Sequence, residues 1–330
     1  MTGALEAGGL LAAAGIDAEV TLRTDQWSAT ATVVDTETRH AQPRAAAELI
    51  RALASSARQA GVRYLFKKTD STLRGPIAAE LTAVIEAWPG APLAYLPAYP
   101  RLGRTVRHGR LHVHGVESGD IRALLAGAPE GITVFDAESE EDLSAAVAGM
   151  ASRGQLTLTA GPAGAIRHLV DHLPVPRRQP QEAPCAGRGL VVCGSLHPRS
   201  QRQMASAGLP VVPLRGAGNE CAAELAAVFR ESAWGMLNTS PEAGASASAR
   251  LAAVAGAIVA AAAIDTLVVF GGDTAAAVFR HWRVETVRPV GEVLPGIPAA
   301  KFAGGITLVT KAGGFGHDGI IRELLGKLHG

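Results

Sequence analysis

The sequence predicts an α/β protein made of two α/β domains whose mostly parallel sheets face a shared cleft. Three observations predict it. Short β-rich runs alternate with stretches whose apolar residues recur at helical spacing. A proline-rich break near the middle divides this alternation in two, and a composition that is 48% hydrophobic over 330 residues supplies material for two closed cores.

In the first half, strands are expected over 20–23, 30–35, 64–67, 93–96, 132–135 and 156–159, with helices over 43–60, 76–88 and 140–151. Residues 174–184 break both periodicities. They carry Pro174, Pro176, Pro180 and Pro184, each of which fixes φ and removes a backbone donor. The expected organisation is a domain over 1–174, a linker over 175–188 and a second domain over 189–330. In the second domain, strands are expected over 190–193, 211–214, 235–237, 266–270 and 306–310, with helices over 199–207, 220–230, 248–264 and 274–282. No internal repeat is visible.

With 31 basic and 30 acidic side chains the net charge is +1, so no general field draws a nucleic acid or an anionic membrane to this chain. Any anion must be held locally. Cys185, Cys193 and Cys221 match no zinc or thioredoxin-like spacing, and an odd number suits a reducing compartment, so the expected location is the cytoplasm. The longest apolar run, residues 251–264, is shorter than the ~20 residues of a membrane span and reads as a buried helix. The opening residues lack the basic segment and long apolar core of a secretory signal.

Glycine clusters follow predicted strands in the second half, where open α/β sheets bind ligands. Gly194-Ser195 follows one strand, Gly271-Gly272-Asp273-Thr274 another, and Lys311 to Gly316 a third, while residues 291–298 read as a fourth loop. Glycine lets backbone N–H groups approach phosphate oxygens, and a helix N-terminus adds favourable partial charge. For any one loop, glycine merely turning the chain is an equal alternative. Neither a Walker P-loop nor a Gly-x-Gly-x-x-Gly fingerprint occurs, so a nucleotide reading rests on the loops together. Lys311 reads either as a cation for phosphate or as a solvated strand-end lysine. Asp273 reads as a ligand for a hydroxyl or a magnesium-bound water, or as an ordinary first-turn aspartate.

In the first half, the strand over 64–67 runs into Lys68-Thr69-Asp70-Ser71-Thr72-Leu73-Arg74-Gly75-Pro76 and then a helix. Two lysines and an arginine can neutralise a carboxylate or a phosphoryl group, and the hydroxyls and Asp70 can read sugar hydroxyls. A small polyhydroxy acid suits this set; a helix cap with solvated basic neighbours is the plainer alternative. Arg39, after the strand over 30–35, can present a bidentate fork to the same edge. Residues 99–106 read as a third basic loop, one that closes over the site. His108, His112 and His114 alternate as on one strand face, but lack acidic or cysteine partners at fitting spacing, so no metal site is assigned.

Lys67 to Gly75, with Gly271-Gly272-Asp273-Thr274, residues 291–298 and Lys311 to Gly316, resembles the four-carbon acid sugar kinases over nearly the whole chain. The resemblance implies an acid-sugar-binding N-terminal domain, an ATP-binding C-terminal domain, and phosphorylation of a hydroxyl on a threonate, erythronate or 3-oxo-tetronate type substrate. Carried over by motif, it puts Arg39, Asp70, Ser71, Thr72, Leu73 and Arg74 at the acid sugar, and Ser195, Gly271, Gly272, Asp273, Thr274, Gly291 and Gly314 at the nucleotide. The family opens on a strand ending in an Asp-Asp pair before Thr-Gly-Ala; here Thr2-Gly3-Ala4 follows Met1 directly, so the expectation is a start placed at an internal methionine, with a shortened variant as the alternative. Arg110 stands where a histidine is expected before Leu111, and the second half is shorter than the family leads one to expect.

The expected mechanism uses ATP and Mg²⁺, with Lys68, Arg74 and backbone amides neutralising charge and Asp70 either orienting or deprotonating the attacking hydroxyl. The partners expected are the sugar acid and ATP; the sequence leaves monomer and homodimer open. Two rival classes stand beside the kinase. One is a catalytically degenerate sugar-acid or nucleotide sensor; the other, a nicotinamide-dependent oxidoreductase, lacks its dinucleotide fingerprint.

Overall fold

The structure is a computed structural model that describes residues 1–23, 27, 29–179, 187–216, 218–240, 244 and 246–328. The chain forms two compact units. A terminal unit holds Met1–Leu22, Ala31–Val33 and Arg177–Gly330, and a central unit holds Arg23–Thr30 and Val34–Pro176.

The chain opens on α1 (Thr2–Ala13), β1 (Ala18–Thr21) and β2 (Ala31–Val34). The helix was not expected from the sequence, and it buries Ala4, Leu5, Ala7 and Leu10. Gly8 and Gly9 let it lie close on later chain. A Cβ on Gly8 would come within 2.6 Å of Pro289 and Val20, and one on Gly9 within 2.9 Å of the Gly291 carbonyl oxygen. β1 then pairs antiparallel with residues 286–287. An apolar helix and a short strand cannot stand alone, so these residues join the terminal unit. This differs from the expected body over 1–174.

The central unit contains α2 (Pro43–Gln59), β3 (Leu65–Lys68), α3 (Ile77–Ala87), β4 (Leu93–Tyr95), β5 (Arg104–Arg107), β6 (Arg110–Val113), β7 (Val116–Asp120), α4 (Ile121–Leu124), β8 (Ile132–Val134), α5 (Glu140–Ser152), β9 (Leu158–Gly161) and α6 (Gly164–Leu169). A four-stranded parallel sheet runs in the order β3-β9-β4-β8. Ile77, Leu81, Leu93, Tyr95, Leu143 and Leu158 pack its core. A capping box between Ser139 and Asp142 starts α5. The expected basic loop over 99–106 is instead the entry to an antiparallel sheet, β5-β6-β7. Positive φ at Gly109 and Gly115 makes its turns.

The terminal unit continues with β10 (Gly189–Cys193), α7 (Pro198–Ser206), β11 (Val211–Pro213), α8 (Asn219–Glu231), β12 (Trp234–Asn238), α9 (Ala247–Ala261), β13 (Thr266–Phe270), α10 (Gly272–Trp282), β14 (Thr286–Leu294), β15 (Ile297–Lys301), β16 (Thr307–Lys311) and α11 (Ile320–Leu328). Its nine-stranded sheet runs β11-β12-β10-β13-β16-β15-β14-β1-β2. The first five strands are parallel, and β15, β14 and β1 continue antiparallel. Residues 291–298, expected as a loop, are the β14–β15 hairpin with only Pro295 and Gly296 between strands. Glycine and proline there read as breakers, but they sit at register shifts and at the turn. The α9 helix is buried through Leu251, Ala252, Val254, Ala255 and Ile258, and among the described residues no helix is long and apolar enough to cross a membrane.

Part of the expected linker is anchored. The Arg178 amide donates to the Gly15 carbonyl at 2.6 Å, and its guanidinium meets Asp17 at 3.3 Å. Residues 180–186, with Cys185, lie outside the described residues.

Candidate functional site

Two clusters of ligand-type groups occur, one in each unit. In the central unit, β3 delivers Lys68, and the chain then turns through Thr69 to Gly75 before α3 begins. Leu73 takes a left-handed φ of 61° and Gly75 one of 92°. Leu73 can hold that conformation because its side chain packs against Gly119 of β7, where a Cβ would approach it to 2.8 Å.

Asp70 organises the turn. Its Oδ1 accepts from the Thr72 amide at 2.9 Å, the Thr72 hydroxyl at 2.7 Å and Arg74 Nε at 3.1 Å, and its Oδ2 accepts from Arg74 Nη2 at 2.8 Å. Arg39 Nη1 stands 3.8 Å from the same Oδ2. Burial alone would raise this carboxyl, but the bonds from Arg74 and Thr72 outweigh it and hold the group at about 2. The structure thus brings Arg39, Asp70, Thr72 and Arg74 together, with Ser71 and Leu73 on the same turn. The Lys68 ammonium has no hydrogen-bond or ion-pair partner among the described residues.

Beneath the turn lies a network that the sequence did not reveal. Lys67 pairs with Glu80 at 2.9 Å, both largely buried, and Glu80 also accepts the Thr38 hydroxyl. Burial lowers the Lys67 pKa against the pull of Glu80. A lysine in a strand and a glutamate in a helix's first turn look like surface residues until the fold faces one with the other. Their pairing leaves no local sequence signal.

In the terminal unit, β10, β13 and β16 lie side by side, pairing Cys193 with Phe270 and Phe270 with Lys311. Their carboxyl ends are therefore level. The Gly194 amide donates to the Phe270 carbonyl at 3.3 Å and the Gly271 amide to that of Lys311 at 3.0 Å. Ser195 Oγ accepts from the His197 amide at 3.3 Å and lies 3.0 Å from the Ser200 hydroxyl, which donates to the Gly313 carbonyl. A Cβ on Gly313 would strike Ser195 Oγ at 2.5 Å, and one on Gly314 would meet the His197 ring at 2.9 Å. Ser195, Gly271, Gly272, Thr274 and Gly314 thus belong to one set of adjoining turns at level strand ends.

Thr274 is buried, its hydroxyl filling the space beside Gly194, whereas Asp273 is exposed in the first turn of α10. Gly291 stands apart. It lies within β14, two strands from β16, and its carbonyl packs under α1. Sequence reasoning missed His197, Arg199, Ser200 and Gln201 of the α7 start, and Thr2, whose Oγ1 lies 3.6 Å from a Cβ on Gly272.

Both sequence-based roles for Lys311 require correction. Its side chain is fully buried and donates to the carbonyls of Ala312, Gly313 and Phe315 at 2.9, 2.7 and 2.8 Å. The ammonium also lies 4.4 Å from the Phe270 ring centroid. Lys311 is a tie for the glycine turn, with no free charge left for a phosphate. Burial lowers it to about 7.

Residues 1–124 match a model described as a sugar-binding N-terminal domain, and residues 190–321 match one described as a nucleotide-binding C-terminal domain. The chain belongs to the four-carbon acid sugar kinase family. Within it, the chain is 28% identical to a D-threonate kinase of Salmonella typhimurium LT2 over 98% of this chain and 95% of that protein. It is 29% identical to a D-threonate kinase of Bordetella bronchiseptica RB50 over 86% of this chain and 83% of the other. A solved Salmonella typhimurium LT2 structure covers 98% of this chain and 96% of its own at a TM-score of 0.79 and 19% identity. A Haemophilus influenzae structure covers 99% and 98% at a TM-score of 0.73 and 17% identity. These two establish the α/β fold. The sugar-binding match of this family member includes α1 and β1, which pack in the terminal unit.

Proposed function

We propose that the chain is an ATP-dependent kinase that phosphorylates a hydroxyl of a four-carbon sugar acid of the threonate, erythronate or 3-oxo-tetronate type. The observation that carries this is the division of labour between the two clusters. One offers side-chain cations and hydroxyls around Asp70, and the other offers glycine turns at three level strand ends. The first suits a small hydroxylated carboxylate; the second suits a polyphosphate. The D-threonate kinase relatives support the same substrate class.

In this reading Arg39, Lys68 and Arg74 neutralise the acid's carboxylate and the charge of the transferring group, and Ser71 and Thr72 address its hydroxyls. Asp70 orients. A carboxylate held at about 2 and accepting bonds on both oxygens is a weak base at neutral pH, so its contribution is to fix Arg74 and the turn. Phosphoryl transfer is chiefly positioning and charge neutralisation, which needs little help from a base.

Backbone amides at Gly272 and Gly314, with Gly271 turning the chain between β13 and α10 and with the neighbouring Ser195 and Thr274, hold the nucleotide. Mg²⁺ is expected with it, and the residues fit its usual demands. Asp273 is exposed and has no hydrogen-bond or ion-pair partner among the described residues, so it is free to hold the ion's water shell. The ion supplies neutralisation of phosphate charge. A second reading, a sugar-acid or nucleotide sensor, is favoured by the same saturation of Asp70.

The test is ADP release by the full chain with ATP, Mg²⁺ and each four-carbon acid in turn. Turnover that requires both ATP and one of these acids supports the kinase. Binding of nucleotide and acid by calorimetry, without ADP release on any of them, overturns it in favour of the sensor.

A further inference from the structure

Arg39 is half exposed and, among the described residues, carries no anchoring bond beyond contacts to His40 and Asp70, yet a carboxylate clamp needs a fixed fork. What fixes it lies behind it. Thr38 opens the short 3₁₀ turn Thr38–His40, entered through Glu37 at a left-handed φ of 49°. The Thr38 hydroxyl donates to Glu80 Oε1, while Glu80 Oε2 faces the Lys67 ammonium at 2.9 Å. Thr36 Oγ1 stands 3.0 Å from Thr38 Oγ1. Because the single Thr38 proton goes to a carboxylate, the Thr36 hydroxyl must be the donor in that second contact. The chain Thr36→Thr38→Glu80←Lys67 is therefore directional, with Glu80 the common acceptor. On the other side, the Arg39 backbone rests on Gly75, where a Cβ would come within 3.2 Å of the Arg39 carbonyl oxygen.

We propose that Glu80, acting through Thr38, is a positioning residue that presets Arg39 for the carboxylate of the sugar acid. This rests on the kinase reading above. Glu80 joins three pieces of chain that must agree for the site to form: the strand that delivers Lys68, the helix that follows the Asp70 turn, and the turn that carries Arg39. Fold stability gives a weaker account of the pair. A buried ion pair adds little over an apolar one of the same shape, because desolvation offsets the attraction.

The experiment uses steady-state kinetics and calorimetry on the full chain. Thr38→Val removes the hydroxyl at nearly constant shape. It is expected to raise KM for the acid by about five-fold or more, as for a charged contact held out of line, with kcat and KM for ATP within about two-fold. Thr38→Ser, which keeps the hydroxyl, is expected to restore KM. In an Arg39→Ala background, Thr38→Val is expected to add nothing, since its effect runs through Arg39. Glu80→Gln should move KM in the same direction, and if that variant fails to fold, the Thr38 pair still decides. An active parent chain with an unchanged KM in Thr38→Val, or effects that add to those of Arg39→Ala, overturns the inference alone. A parent chain that neither turns over nor binds any four-carbon acid overturns the kinase reading and the inference together.

Discussion

The turn after β3 and the turns after β10, β13 and β16 occupy equivalent places, the carboxyl ends of parallel strands, but they are held by opposite means. Around Asp70 the ties are charged side chains near the surface, with Arg74 and Arg39 converging on one carboxylate. Around Gly313 the ties are main-chain carbonyls gathered by one buried lysine. The first arrangement leaves charge and hydroxyls facing outward, as a small polar acid requires. The second gathers glycine turns at the strand ends, which suits the proposed phosphate chain.

The largest expected effect comes from cutting the buried tie. Lys311→Met leaves the carbonyls of Ala312, Gly313 and Phe315 without their donor, and unpaired buried acceptors lower stability by about 1–3 kcal/mol each before the turn relaxes. We expect a loss of about 3 kcal/mol in denaturant unfolding, together with loss of nucleotide binding. The same residue gives a pH signature. Burial brings Lys311 from an ordinary 10.5 to about 7, so between those values the folded chain binds fewer protons than the unfolded one. Its contribution to stability therefore rises with pH from about 7 towards 10.5, and unfolding curves of Lys311→Met should lack that rise.

A smaller effect is expected from the exposed tie. Asp70→Asn keeps the shape but weakens the grip on Arg74 and Arg39, and kcat/KM for the acid should fall about a hundred-fold, a typical loss for misoriented charge at a reacting group. Nucleotide affinity should be unchanged. Solvent around Arg74 screens the pair, so stability should fall by no more than about 1 kcal/mol. Asp70 sits at about 2 in the folded chain against an ordinary 3.8, so its stabilisation is fully present above 3.8 and is lost as pH falls from there towards 2. An acid unfolding profile identical in Asp70→Asn and the parent would remove Asp70 as the organiser of the turn.

The same contrast explains what the sequence made legible. The Asp70 cluster is contiguous, so its residues announced themselves, and only their mutual bonding had to come from the structure. The parallel strands of both units and the helices α2, α3, α5 and α7 to α10 were visible in their periodicities, with ends displaced by one to three residues in most cases, as at β9 and α9, whereas β5 to β7 and the helices α4, α6 and α11 were not expected. The helix α1 escaped because its glycines suppress the helical signal that its packing later justifies. The β14–β15 hairpin escaped because glycine and proline at bulges look the same in sequence as glycine and proline in loops. Lys311 and the Lys67–Glu80 pair escaped for a deeper reason. A buried charge is defined by what surrounds it: Lys67 meets Glu80 of α3, and Lys311, although the carbonyls it gathers follow it directly, is buried under Phe270 of another strand.

The smallest effect on stability, and the finest test of the comparison, is expected at Gly272. Gly194 and Gly272 both flank the level strand ends, but their surroundings differ. A Cβ on Gly194 would fall 1.9 Å from the Thr274 hydroxyl, so Gly194→Ala forces repacking of a buried residue. On Gly272 the nearest atom is Thr2 Oγ1 at 3.6 Å, an ordinary contact, and the residue begins a helix where alanine is favoured by about 0.5–1 kcal/mol over glycine. Gly272→Ala should therefore leave Tm unchanged or slightly raised. If backbone amides there receive phosphate, the added methyl weakens nucleotide binding by about three- to ten-fold through crowding alone, while acid binding is untouched. Unaltered nucleotide affinity in this stable variant would move the phosphate away from the α10 start and leave the Ser195–Gly314 turns as its seat.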